Sequence, residues 1–277
     1  MIYLQGINLE IKNRAIIKDL DLFVDKGEFV SIVGANGAGK STLLKLIAGE
    51  LKPNSGTFHL NNRPISTWSS KEMAKFRGYL HQANHMDIPF TVEEVVHMGR
   101  YQYTTGNQES IVRECIQICE LERLKDRSIK ELSGGEQQRV HLARILAQIW
   151  DMESGILLLD EPISNMDIQY QHLTLAIAKA FTTVGFSVIT VLHDLNMVAQ
   201  YSDRVLMLKA GRKWWYGSPN EVFKQQNIYN IFGVNSEVYI NPNNLTTQIQ
   251  TIPATFKIGD FNSFQRSKKE QRNSLVN

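Results

Sequence analysis

Residues 34–41 read Gly34-Ala35-Asn36-Gly37-Ala38-Gly39-Lys40-Ser41, and their flanks give the stretch its meaning. Upstream, Phe29-Val30-Ser31-Ile32-Val33 is a β-branched run that ends at glycine. Downstream, Thr42-Leu43-Leu44-Lys45-Leu46-Ile47-Ala48-Gly49 carries an apolar face at helical spacing and a glycine stop. Strand, glycine loop and helix in this order predict a phosphate cradle. Gly34, Gly37 and Gly39 free the backbone to turn N–H groups inward, and the positive helix end lies beneath the phosphates. Lys40 reaches the β- and γ-phosphates of a nucleoside triphosphate, and the Ser41 hydroxyl binds Mg²⁺.

The 277 residues suffice for one large α/β domain or one domain with a small appendage. Hydrophobic content of 43% and charged content of 21% are ordinary globular values, and a net charge of +2 gives no argument for nucleic acid. The only cysteines, Cys115 and Cys119, are too few for a secreted disulfide framework. They lie four apart on one helix face and read as reduced, small core residues. The N-terminus lacks the pattern of a signal peptide, and no segment has the roughly 20 apolar residues that span a bilayer. Any membrane role therefore comes through a partner.

Alternating runs at 3–11, 16–24, 29–33 and 57–60, separated by turn signals, predict a β-rich start. From about residue 92 to 124 the spacing is helical, and another helix covers 136–150. Apolar strand runs at 156–159, 187–192 and 204–208, with a helix at 169–183 between the first two, predict a parallel sheet covered on both faces. The domain reads as 1–240, with a helical part at about 84–150. Residues 241–277 read as a short, partly disordered extension with a basic, frayed end at 266–277.

A second element is Ile156-Leu157-Leu158-Leu159-Asp160-Glu161, a buried strand ending in two carboxylates. Strand alternation sends their side chains different ways. Asp160 can hold Mg²⁺ through water, while Glu161 can orient and deprotonate the attacking water.

The third element, Leu132-Ser133-Gly134-Gly135-Glu136-Gln137-Gln138-Arg139, resembles the signature motif of ATP-binding cassette (ABC) ATPases. The resemblance covers nearly all of residues 1–240. It implies the ABC-type P-loop NTPase fold: α/β, with a mostly parallel core sheet, an N-terminal antiparallel β subdomain and a helical signature subdomain. It implies ATP and Mg²⁺, with the nucleotide held by Gly34, Ala35, Asn36, Gly37, Ala38, Gly39, Lys40, Ser41 and Thr42, and the metal by Ser41, Gln82 and Asp160. In this family Ser133, Gly134, Gly135 and Glu136 would face ATP on a second copy of the chain. Gln82 matches the Q-loop glutamine, Asp167 of Ser164-Asn165-Met166-Asp167 the D-loop aspartate, and His193 the switch histidine. Relatives place an aromatic ring on the adenine. The matching position here is Ile11, which implies weaker stacking.

One phosphate loop and one signature disfavour double-cassette translation factors, and no long heptad insertion suggests a chromosome-maintenance ATPase. The compact length suits a transporter subunit, and the family resemblance then implies catalysis by Glu161 with His193 and Gln82, polytopic permease partners, an indirect periplasmic or surface binding protein, and a peripheral place on the cytoplasmic face of the bacterial inner membrane. Three stretches resemble importers of metal chelates: 88–100; Ala143-Arg144-Ile145-Leu146-Ala147-Gln148-Ile149-Trp150; and Asp167-Ile168-Gln169-Tyr170-Gln171-His172 together with Val191-Leu192-His193-Asp194-Leu195-Asn196. Haem import is the favoured expectation. Siderophore–iron, cobalamin or Zn/Mn import and a soluble ABC ATPase uncoupled from transport are the alternatives. His81, His85 and His97 read as solvated or interface residues, not haem ligands.

Overall fold

The strand before the glycine loop, β3 (Phe29–Gly34), is buried at every position and lies inside the larger sheet. The computed structural model describes residues 2–82, 89–104 and 106–254. A hairpin of β1 (Ile2–Ile11) and β2 (Arg14–Val24) precedes β3, and α1 (Lys40–Ile47) follows it. Next come β4 (Ser55–Leu60), β5 (Arg63–Pro64), α2 (Ser70–Phe76) and β6 (Arg77–Leu80). Helices α3 (Val92–His97), α4 (Gln108–Ile118) and α5 (Gly134–Ile149) form one packed group. Strands and helices then alternate: β7 (Gly155–Asp160), α6 (Ile168–Thr183), β8 (Phe186–Val191), α7 (Leu195–Tyr201), β9 (Arg204–Lys209) and β10 (Arg212–Gly217). Short helices α8 (Pro219–Val222) and α9 (Gln225–Phe232) lead to a hairpin of β11 (Ser236–Ile240) and β12 (Thr247–Thr251).

The larger sheet has the order β10-β9-β3-β8-β7-β6. All its neighbours are parallel except the edge strand β10. β3, β7 and β8 are buried throughout, so helices cover both faces, as their unbroken apolar runs require. The smaller sheet, β2-β1-β4-β5, is antiparallel. In β1 the apolar residues Ile2, Leu4, Ile7 and Leu9 face one core with α1. The other core joins α3–α7 to the opposite face of the large sheet. This is the α/β architecture expected from the sequence.

Two sequence readings change in detail. The helical stretch at 92–124 is broken. After α3 the chain is pinned by Arg100, whose buried guanidinium pairs with Asp151 and donates to the Ala147 carbonyl at 2.7 Å. Order also does not fade at 240. The turn at 241–244 joins β11 to β12, and Ile249 is only 7% exposed within the main core. A boundary at 240 would cut this hairpin. The basic stretch 266–277 and His85 lie outside the described residues. Cys115 and Cys119 are free and buried, and burial pushes the Cys115 thiol up to about 12. Among the described residues no helix is long and apolar enough to cross a membrane.

Candidate nucleotide site

The sheet order determines what meets at its C-terminal edge. Gln82 follows β6, Glu161 follows β7, His193 follows β8, the glycine loop follows β3, and Lys209-Ala210 closes β9. All of them line one cavity of about 880 Å³. A parallel sheet binds ligands beyond the carboxyl ends of its strands.

In the loop, Gly39 has φ 100 and stands at the N-cap of α1. A Cβ there would lie 3.0 Å from Ile17 Cδ1 and 3.2 Å from the Ile16 carbonyl, so β2 presses on the loop from outside. Lys40 is buried, and its Nζ donates to the carbonyls of Gly34 (2.9 Å) and Ala35 (3.2 Å). Desolvation lowers its pKa, against the opposing pull of Glu161 and Asp160. An ammonium held this way gains most from a phosphate brought close to it.

Ser41 Oγ donates to Asp160 Oδ1 at 3.0 Å across the gap between α1 and β7. Asp160 is 2% exposed, and burial raises its pKa. Among the described residues no group of three or more His, Cys, Asp or Glu could cage a metal. A hydroxyl beside a carboxylate, with the Gln82 carboxamide lining the same cavity, is instead an all-oxygen set. It suits Mg²⁺, which keeps waters and completes its shell with substrate phosphates.

Asp160 and Glu161 part company differently from the pleat alternation expected. β7 stops at Asp160, and Glu161 has φ 52, a left-handed backbone. Such a conformation in a non-glycine residue costs of order 1–3 kcal/mol and persists only where neighbours enforce it. They do so here. Glu161 N–H donates to the Val191 carbonyl at 3.2 Å, and its carbonyl accepts from Gln138 Nε2 at 2.7 Å and Ser164 Oγ at 3.1 Å. The carboxylate is thereby turned into the cavity, 2.8 Å from His193 Nε2. Gln138 is a residue the sequence reading passed over. Its signal was its position on the first turns of the signature helix, but its target is distant in sequence.

Ser133 caps α5 in a reciprocal box: its N–H and Oγ both donate to Glu136 Oε2 at 2.8 Å. Glu136 therefore faces its own helix start, where it satisfies two donors. Gly134 has only Asn165 Cβ near its missing side chain, at 3.9 Å, whereas a Cβ on Gly135 would lie 2.7 Å from the Asn165 carbonyl. Gly135 thus has a reason within the chain, the close approach of α5 to the loop 164–167. Asp167 stands at the N-cap of α6 without a side-chain capping bond.

Ile11 is not among the residues that line the cavity. It ends β1 and pairs with Arg14 across a two-residue turn whose members, Lys12 (φ 49) and Asn13 (φ 62), fit a tight hairpin. The lining comes from the returning strand: Arg14, Ala15, Ile16 and Lys18. With Lys209 and Ala210 they form the end away from Glu161, and no aromatic ring is among them. The hairpin register sets this, and the sequence motif does not contain it.

A family model described as ABC transporter matches residues 17–164. The hemin import ATP-binding protein HmuV of Escherichia coli O157:H7 is 40% identical over 247 residues, covering 88% of this chain and 96% of its own. Among solved structures, cbiO1 from Clostridium perfringens, described as part of the ABC transporter complex cbiONQ, has a TM-score of 0.71 at 27% identity, covering 83% of this chain and 92% of that one. The ATP-binding cassette MJ0796, solved as a dimer in a post-hydrolysis state bound to ADP and Pi, has a TM-score of 0.70 at 28% identity, covering 79% and 99%. With the family model running from β2 to just beyond Glu161, and HmuV aligned along most of the sequence, this protein belongs to the ABC transporter family, as an ATP-binding subunit closely related to HmuV-type hemin-import ATPases.

Proposed function

We propose that this chain hydrolyses ATP to drive hemin uptake, working as a homodimer beneath a polytopic permease at the cytoplasmic face of the membrane. The observation that carries the ATPase reading is the convergence of Lys40, Ser41, Glu161, Gln82 and His193 on one cavity from four separate strand ends, with Asp160 bonded to Ser41 at its edge. The hemin reading is supported by the kinship with HmuV.

ATP lies along the sheet edge with its phosphates in the glycine loop. Its γ-phosphate sits near Glu161 and His193, and its base sits near Arg14 and Ile16. Mg²⁺ held by Ser41, Asp160 and Gln82 would neutralise charge on the phosphates. Glu161 takes a proton from the attacking water, and His193, within hydrogen-bond reach, holds that carboxylate in place. Ser133, Gly134 and Gly135 of one copy cap the nucleotide of the other, so binding favours a closed pair and hydrolysis releases it. The difference in ATP affinity between closed and open pairs is what moves the permease. A substrate-binding protein delivers hemin on the far side.

The test uses vesicles carrying the permease and this subunit. The expected result is ATP-dependent hemin uptake, with Glu161→Gln still binding ATP but turning over about 10²–10⁴-fold more slowly. Near-normal hydrolysis by this variant would remove Glu161 as the base. Uptake of a ferric siderophore in place of hemin would overturn the substrate reading alone.

A further inference from the structure

Of His193-Asp194-Leu195-Asn196 only His193 lines the nucleotide cavity, and Asn196 points elsewhere. Asn196 lays its side-chain amide along the outer edge of β12. Nδ2 donates to the Ile249 carbonyl at 3.1 Å, and the Ile249 N–H donates to Oδ1 at 2.8 Å. A neighbouring strand would pair in the same way. Ile249 stands opposite Val238 of β11, and because its N–H and carbonyl both turn outward to Asn196, this is a non-hydrogen-bonded position of the hairpin. The match needs a donor and an acceptor on one short side chain, which asparagine supplies and aspartate or leucine does not. Ile249 packs in the same apolar core as Met197 and Val198.

The same turn of α7 is held from its other side. Asp194 accepts from the N–H groups of Asn196 (2.8 Å) and Met197 (3.1 Å). His193 immediately precedes this cap. Residues 192–194 are all that link β8 to α7, so a shift of the first turn of α7 is carried straight to His193. Its bond to Glu161, 2.8 Å long, would weaken steeply with such a shift.

We propose that Asn196 is a positioning residue for His193, and that through it the C-terminal hairpin β11–β12 is a working part of the hydrolytic site. This rests on the ATPase reading given above. Moving the hairpin would change turnover without touching the nucleotide.

The test compares the full chain, labelled with ¹³C-histidine, with Asn196→Leu, which removes both bonds, and Asn196→Asp, which keeps only the acceptor. Loss of one signal in His193→Ala assigns that residue. In both asparagine variants the His193 imidazole signal is expected to move, while those of His59 on β4 and His97 on α3 stay. The kcat for ATP is expected to fall about tenfold to a hundredfold, the scale of a roughly 1 Å misplacement. KM is expected to change less than about twofold, as for a group that acts only after binding. In a His193→Ala background Asn196→Leu should cause no further loss. An unmoved His193 signal, an equal loss in the His193→Ala background, or a rise in KM at constant kcat would overturn the proposal. If Asn196→Leu fails to fold, Asn196→Asp carries the same comparison. If the wild-type chain hydrolyses no ATP, the ATPase reading falls, and the His193 signal still decides the link to the hairpin.

Discussion

Glu161 shows how much one residue's backbone can decide. Its φ of 52 aims the carboxylate at the cavity, while the buried Asp160 one position earlier stays with Ser41. The identities of both, and of Lys40 and His193, were legible in the sequence because each sits at a fixed offset from a strand end. The proposed base contact was not, because it depends on which side of the β1–β2 turn faces the loop. Arg14 has the planar, weakly hydrated cation that stacks on rings, and among the described residues its guanidinium makes no ion pair or hydrogen bond while its backbone pairs with Ile11. Arg14→Ala should therefore weaken ATP binding by about threefold to tenfold, the worth of a cation–π contact of roughly 1 kcal/mol. Ile11→Ala should leave affinity unchanged. Equilibrium titration with a fluorescent ATP analogue measures both, and a loss confined to Ile11→Ala would restore that residue to the base site.

At the scale of elements, several helices begin with the same device. α2, α3, α5 and α8 each start with a Ser or Thr whose hydroxyl faces a Glu three residues on. These starts are local, yet the helices expected from the sequence include neither α2 nor α8. The missed strands have their own reasons for being silent. β10 is an exposed edge of Arg212, Lys213, Trp214 and Trp215, and β12 is polar except for Ile249, so neither shows a buried-strand pattern. In α5 the hydrogen bonds from Ser133 hold the Glu136 carboxyl below its ordinary value of 4.5. Between the ordinary and lowered values the native state binds fewer protons than the unfolded chain, so stability falls as pH drops through that window. Glu136→Gln should lose less stability than wild type over the same interval, a difference that thermal melts at stepped pH below 4.5 would measure. Parallel curves for the two proteins would mean that the box is not formed in solution.

For the whole molecule, the proposed pairing makes each active site the property of two copies. Lys40→Ala removes the charge on a copy's own nucleotide, and Ser133→Arg places a bulky cation where its partner's phosphate would dock. Each homodimer then has two damaged sites. A mixed dimer concentrates both lesions in one site and leaves the other with an intact Lys40 and an intact Ser133. ATP-dependent closure is expected in the mixture and in neither parent, measured by light scattering or gel filtration. Normal hydrolysis by the Ser133→Arg homodimer would instead make the signature a purely internal helix start, as its bond to Glu136 already allows.

The order of strands also fixes a timetable for synthesis. β3 leaves the ribosome early, yet its two hydrogen-bonded neighbours are β8 and β9, with Phe29 opposite Val188 and Val30 opposite Arg204. The hairpin β1–β2 needs only local partners and can close at once, whereas such distant pairings form slowly. The glycine loop therefore has no sheet beneath it until most of the chain has been made. A nascent chain stopped short of β8 carries the full phosphate motif with neither of the sheet neighbours that hold β3 in place.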